Sequence, residues 1–300
     1  MAYGHIGHEK NFIYINEKVL MDVQSVDYSV STNRTVLNMA GVTDLLQVSE
    51  GVSQATLNLQ RYAITNTAND PFAGGFHGPD LFLNGFSGVW QHRDAAGENK
   101  FFAMDKAYVS NYTFSAALNE VPSISMGIVA YGSGIGQTDI PTGYMTGAAA
   151  IDFTDVYVYP KLMELVFPET DTLTDIAKVN LVTSFDLSFT MNREVRNRIG
   201  QQKKTPETFI AYPIEATLAL EIDVDEYTTP AINNLLCEYP GTIQLLIKNC
   251  DGSNIRGFEF TKGVLQSASM TERVLDINKA TLEYTKSITK DSDFGFWMNV

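Results

Sequence analysis

The stretch VQSVDYSVSTNRTVLNMAG at residues 23–41 returns as VTSFDLSFTMNREVRNRIG at residues 182–200. Nine of the nineteen aligned pairs are identical without a gap, where average composition would give roughly one. A spacing of 159 residues is too long for a solenoid repeat and has the size of a domain. The chain therefore contains an internal duplication.

The duplication continues beyond this stretch, towards the C-terminus of each half. Residues 55–59 (ATLNL) match residues 216–220 (ATLAL) at a slightly different offset, as insertions in loops would produce. This order of elements predicts a first domain over residues 1–150 and a second over residues 179–300. Residues 151–178 between them are predicted to form a connector with an extra strand or a short helix.

Hydrophobic periodicity predicts the fold class. Apolar and polar residues alternate over 26–30 and again over 185–189, and a period of two is typical of a strand with one buried face. Helix signals are short: Thr229-Pro230 is a good N-cap and first-turn pair, and residues 78–80 give a weaker one. We expect a mostly β chain of two tandem antiparallel β-sandwich domains, each with a short flanking helix.

Composition excludes several classes of protein. The 300 residues are 44% hydrophobic, which favours a globular chain. The net charge of −14 disfavours binding to the phosphates of nucleic acids. The two cysteines, Cys237 and Cys250, are too few for a disulfide scaffold and fit a reducing compartment. No apolar run approaches the ~18 residues of a membrane-spanning helix.

Motifs that carry chemistry are weak. The GSGIG run at 132–136 lacks the spacing of a dinucleotide loop, and no GxSxG nucleophile motif occurs. His5 and His8 stand near a terminus, where a metal site is improbable. We therefore expect no enzymatic activity, no catalytic residue, no cofactor and no metal, and a function in binding or in building an assembly.

Two segments of the second half carry a family resemblance. SFDLSFTMNREVRNRIG (184–200), followed by PIEATLALEIDV (213–224), resembles the tube-forming β-domain of bacteriophage tail tube proteins. The first-half copies, SVDYSVSTNRTVLNMAG (25–41) and SQATLNLQRY (53–62), resemble the same domain. The resemblance rests on strands, hairpin and glycine and not on a catalytic signature.

The resemblance implies a fold and a role. Tube domains of this family are β-sandwiches whose inner sheets join side by side into one barrel, and the rings stack into a hollow tube through which DNA passes without specific binding. Members with two tube domains form trimeric rings with pseudo-sixfold symmetry. The implied partners are other copies of the chain, a tape measure protein, tail terminator and baseplate proteins and, in some tails, a sheath.

The same resemblance implies a location in the virion tail, with the host cytoplasm as the site of assembly. Two rival functions stay open: a baseplate or distal tail ring protein, and a β-sandwich carbohydrate-binding module.

The polar residues kept in both copies are the candidate assembly residues. They lie where a strand enters a hairpin, and they are Asp27, Asn33, Arg34, Asn38, Asp186, Asn192, Arg193 and Asn197. A turn role, with side chains bonding to the local backbone and a local Arg–Asp pair, explains them equally well. Asp27 and Asp186 are also candidates for an acidic lumen wall that repels phosphate.

Overall fold

The fold is described from a computed structural model. It covers residues 12–16, 18–20, 23–37, 47–63, 83–93, 99–131, 135–138, 160–166, 178–179, 182–196, 207–224, 242–248, 254–271, 278–290 and 297–298. In chain order the strands are β1 (Phe12–Ile15), β2 (Lys18–Leu20), β3 (Val23–Leu37), β4 (Gln47–Tyr62), β5 (Phe86–Arg93), β6 (Asn99–Ala117), β7 (Ser123–Tyr131), β8 (Ile135–Thr138), β9 (Leu162–Val166), β10 (Lys178–Val179), β11 (Val182–Thr190), β12 (Arg193–Arg196), β13 (Glu207–Ile210), β14 (Ile214–Val224), β15 (Thr242–Lys248), β16 (Asn254–Thr261), β17 (Val264–Thr271), β18 (Asn278–Ile288) and β19 (Trp297–Met298).

Eight strands form one continuous antiparallel row. Their order is β3-β4-β7-β6-β11-β14-β18-β17. The first four strands belong to the first half of the chain and the last four to the second half, and the order within each group is the same. The repeated segments 23–41 and 182–200 fall on β3 and β11, which hold equivalent places in the row.

A second layer repeats in the same way. In the first half β2, β1, β5, the beginning of β6 and β8 are neighbours in that order. In the second half the order β10-β9-β15-β16-β19 matches it strand for strand. We call these two sets the outer layers.

One strand marks the difference between the halves. β6 runs without interruption from the first outer layer into the row, whereas in the second half the same path breaks into β16 and β17. At the break Lys262 has a left-handed backbone with φ 58°. A Cβ on Gly263 would come within 2.6 Å of the Phe260 ring, so a glycine is required beside that ring.

These observations confirm the prediction of a mostly β chain built from antiparallel sheets. The two predicted helices, at Thr229-Pro230 and at residues 78–80, lie outside the described residues. Inside the predicted connector, β9 is a strand and pairs with β15 of the second outer layer. The domain limits at residues 150 and 178 stay predictions.

The hydrophobic core lies between the row and the outer layers. In the second half Leu187 and Leu218 of the row face Ile243, Leu245 and Phe258 of the outer layer across one small internal space. Alternation produces this arrangement, because every second side chain of β14 is buried, from Ile214 to Val224. The opposite face of the row carries mostly polar side chains.

An ion pair ties β9 to β15 within the second outer layer. The Lys248 ammonium contacts the Glu164 carboxylate, and the Glu164 side chain is almost fully buried while that of Lys248 is 18% exposed. A buried charge that loses its partner is costly because it has neither water nor a counter-ion. We therefore expect the pair to matter for the attachment of β9.

Glu164→Ala should lower the free energy of unfolding by about 3 kcal/mol, because it leaves Lys248 without its carboxylate in a largely dry place. Urea unfolding followed by circular dichroism measures this. Glu194→Ala is the matched control: its exposed carboxylate lies 3.7 Å from Arg196, and its loss should change stability by no more than ~0.5 kcal/mol. Equal effects of the two substitutions would contradict a buried role for Glu164.

Candidate assembly surface

The two halves meet where β6 pairs with β11. Seven residue pairs are in register, from Ser184 opposite Ala117 to Thr190 opposite Asn111. Backbone hydrogen bonds continue past both ends: the Leu118 N–H donates to the Thr183 carbonyl at 2.9 Å, and at the other end the Met191 N–H donates to a β6 carbonyl at 2.7 Å. We call this contact the internal junction.

Stacked aromatic rings fill the buried side of the internal junction. The rings of Tyr112 and Phe189 are 5.3 Å apart at 21°, and those of Phe114 and Phe185 are 5.6 Å apart at 17°. Phe258 of the outer layer packs against the second pair at 4.8 Å and 5.4 Å. Offset-stacked rings add to the energy of burial, so the halves are joined by a core contact.

Arg193 reaches from the second half into the first. Its guanidinium carbon lies 4.2 Å from the centroid of the Tyr108 ring, and its Nη2 donates to the Leu83 carbonyl at 3.3 Å. Burial lowers the pKa of Arg193, and the neighbouring tyrosines oppose that effect, but an arginine stays charged at neutral pH. This candidate residue therefore contributes a cation–π contact across the internal junction.

Asp27 and Asp186 occupy equivalent exposed positions. Both point to the polar face of the row, where Asp27 is opposite Asn58 and Asp186 is opposite Ser115. They do not form one cluster, because three strands separate β3 from β11. Their common feature is the face on which they lie.

The remaining candidates are described in part. Asn192 is exposed, and its carbonyl accepts a hydrogen bond from the Ala211 N–H at 2.9 Å, which closes the base of the β12–β13 hairpin. Asn33 and Arg34 lie on β3 at a shift in its pairing with β4, and their side chains are outside the described part. Asn38 and Asn197 lie outside it altogether. The assembly role of the eight residues stays a prediction.

The face of the row opposite the core, which we call the open face, is polar and acidic. Most of its described side chains are Ser, Thr, Asn and Gln. Its described acids are Asp27, Asp186, Glu215, Glu221, Asp223 and Glu283, and its lysines are Lys106 and Lys279. The ammonium of Lys279 pairs with the Glu221 carboxylate at 2.5 Å. The acids therefore outnumber the cations on this face over the residues described.

The two ends of the row expose apolar side chains. Among the strands described, β3 pairs only with β4, and β17 pairs only with β18. On β3 Tyr28 is 45% exposed and Val30 is 48% exposed, and on β17 Val264 and Met270 are 40% and 41% exposed. These four are most of the exposed large apolar side chains in the described residues, and an open strand edge that also carries apolar surface favours pairing with another chain.

Sequence patterns did not single out the aromatic residues of β6. The repeat compared β3 with β11, and the partner of β11 comes from a strand with little sequence identity to its counterpart. A usable signal was present in YVSNYTFSAA (108–117), where aromatic and apolar residues alternate with small polar ones. That alternation predicts a strand but not its neighbour.

Chemistry of other kinds is not evident in the described part of the chain. No three His, Cys, Asp or Glu side chains come together there as metal ligands would. Within the same residues no helix has the length and apolar character needed to cross a membrane.

The stacking energy at the internal junction is measurable. A double-mutant cycle with Tyr112→Leu and Phe189→Leu should give a coupling energy of about 1 kcal/mol, because the rings stack directly across the two strands. Urea unfolding of the four proteins supplies the numbers. Tyr14→Leu paired with Phe189→Leu is the control, since Tyr14 belongs to a separate apolar cluster, and it should show coupling near zero. No coupling in the first cycle would contradict a junction held by stacking.

Comparison with known proteins gives matches to solved structures and none to sequences. No protein-family model matches the chain, and no curated protein matches it. Among solved structures the chain is similar to a chain of the anti-feeding prophage baseplate, determined by cryo-EM with sixfold symmetrisation, at 12% identity and a TM-score of 0.29. The match covers 43% of this chain and 91% of that chain. A likeness at this level carries no argument about function.

Proposed function

We propose that this chain is a structural subunit that joins copies of itself into rings and that these rings build the tube of a bacteriophage tail. The observation that carries the proposal is the internal junction. Two sheets with the same strand order are joined head to tail through β6 of the first and β11 of the second. The row that they form ends at β3 and β17, which are the counterparts of β11 and β6. A head-to-tail contact of this kind either closes into a ring or runs on into a filament.

The geometry of the row suits a barrel. Three copies of the eight-stranded row would contribute roughly 24 strands, and with strands ~4.8 Å apart and tilted by ~40° the backbone diameter is roughly 50 Å. Inner side chains would leave a bore wider than a DNA duplex. Closure would pair every strand edge of the row and remove an aggregation hazard.

The open face fits the wall of such a bore. The outer layers cover the other face of the row. They would lie on the outside of the barrel, where the circumference is larger and leaves room for a second layer. An acidic wall repels phosphate, so DNA would move along it without binding. The proposed role is structural and needs no catalytic group and no cofactor.

The resemblance to tail tube proteins supplies the further partners of the proposal: a tape measure protein, tail terminator and baseplate proteins, and in some tails a sheath. A baseplate or distal tail ring protein is the nearest rival, because it would use the same junction in one or two rings. A carbohydrate-binding module would present aromatic rings on an open surface. Trp90 is buried against Tyr28 instead, with centroids 4.8 Å apart, and the Trp297 side chain is outside the described part.

Electron microscopy of the purified protein tests the proposal directly. Rings or tubes with three subunits and apparent sixfold symmetry are expected, and in a virion the protein should be among the most abundant bands on a gel. A baseplate protein would instead be present in only a few copies per particle. A protein that stays monomeric at all concentrations and is absent from virions would contradict both readings.

Charge reversal tests the lumen wall. Asp27→Lys and Asp186→Lys should each slow DNA ejection severalfold, because an ammonium in the wall would attract the passing phosphates. Ejection into a solution containing nuclease, followed by light scattering, measures the rate. Glu259→Lys is the matched control, with the same charge change on the outer layer, where Glu259 alternates with the buried Phe258 and Phe260. Equal ejection rates for all three variants would contradict the hypothesis that the open face lines the bore.

A further inference from the structure

We propose that β17 of one copy pairs with β3 of the next in the register of the internal junction, with Ser29 opposite Ser269 of the partner subunit. The inference rests on the proposed assembly of copies into rings. It goes further in naming the two strands, their antiparallel direction and the residues that face each other.

The register follows from two alignments within the chain. β3 corresponds to β11 through the repeat, at a spacing of 159 residues. β17 corresponds to β6 because each strand shifts its register once against its equivalent neighbour in the row: β6 against β7 between Val109 and Asn111, and β17 against β18 between Leu265 and Ser267. Residues 265–271 therefore correspond to residues 109–115.

Transferring the pairs of the internal junction gives the contact between copies. Phe189 opposite Tyr112 becomes Val30 opposite Ala268 of the partner subunit. In the same way Leu187 opposite Phe114 becomes Tyr28 opposite Met270 of the partner subunit. The transferred register thus brings Tyr28, Val30 and Met270, three of the exposed apolar side chains at the open edges, into one contact.

The direction of the strands is also consistent. Neighbouring strands of the row are antiparallel throughout, and the row has an even number of strands. A second copy can therefore continue it without inverting any strand, and each new contact satisfies the backbone N–H and C=O groups of two edges.

The contact between copies is poorer in aromatic rings than the internal junction. The stacked pair Tyr112–Phe189 is replaced by Ala268 and Val30, and Tyr108, on which Arg193 lies, corresponds to Val264. Less apolar area is buried and no rings stack there. The subunit can thus keep its own halves joined while its contact with other copies stays reversible.

Disulfide trapping tests the register. Ser29→Cys and Ser269→Cys are combined in a chain in which Cys237 and Cys250 are changed to Ser. Both positions are exposed on the open face, and directly opposed strand residues have Cα separations within the range a disulfide needs. Mild oxidation of the assembled protein should give a ladder of covalent dimers and trimers on a non-reducing gel, and a ladder that stops at three marks a closed three-subunit ring.

The combination of Ser29→Cys with Ser267→Cys is the matched control. These positions are diagonal in the proposed register, and their separation of ~7–8 Å is too long for a disulfide. Mixing the two single variants, Ser29→Cys and Ser269→Cys, should give covalent dimers that contain one of each and none that contain two alike. Assemblies that form without the Ser29–Ser269 crosslink, or with the control pair crosslinked equally, overturn the register and leave the proposed function standing. A protein that assembles at no concentration and is absent from virions overturns both.

An aromatic graft gives a second, independent measurement. Val30→Phe with Ala268→Tyr copies the stacked pair of the internal junction into the contact between subunits. It should lower the protein concentration at which rings form by about tenfold, as measured by sedimentation velocity. Val30→Phe alone is the control and should have a smaller effect. No difference between the double variant and that control would overturn the proposed pairing.

Discussion

An unpaired strand edge is the constraint on which this structure depends. Each edge residue carries backbone N–H and C=O groups that need partners, and a row of strands always has two edges. Among the described strands this constraint is met where β6 of the first half pairs with β11 of the second. The solution is more than backbone pairing, because Tyr112, Phe114, Phe185 and Phe189 stack beneath it.

The internal junction explains why a duplicated chain is useful. A contact between two halves of one chain forms at a high effective concentration and cannot be lost by dilution. The proposed contact between β17 and β3 of separate copies would depend on protein concentration, so the moment of its formation could be controlled. A subunit with one permanent and one reversible edge contact is suited to remain dispersed until assembly begins.

Charge and burial divide the surfaces of the row between two tasks. Alternation along β14 sends Leu218, Leu220 and Ile222 into the core and leaves Glu221 and Asp223 on the open face. Part of the net negative charge of the chain therefore lies on one defined surface, the open face. In the proposed tube such an acidic wall would keep solvent and counter-ions against it, which suits a surface past which a polyanion moves.

The amino-acid sequence by itself determined the mostly β character of the chain and the equivalence of its halves, because a period of two and a repeat spaced by 159 residues are local and linear signals. It also identified Asp27 and Asp186 as equivalent positions on a polar face. Only the tertiary structure decided that β11 lies beside β6, that Arg193 contacts Tyr108 of the other half, and which two strands end the row over the residues described. Which strands become neighbours depends on packing between side chains that are far apart in the sequence. Those contacts form only when both strands are in place, so a local pattern does not reveal them.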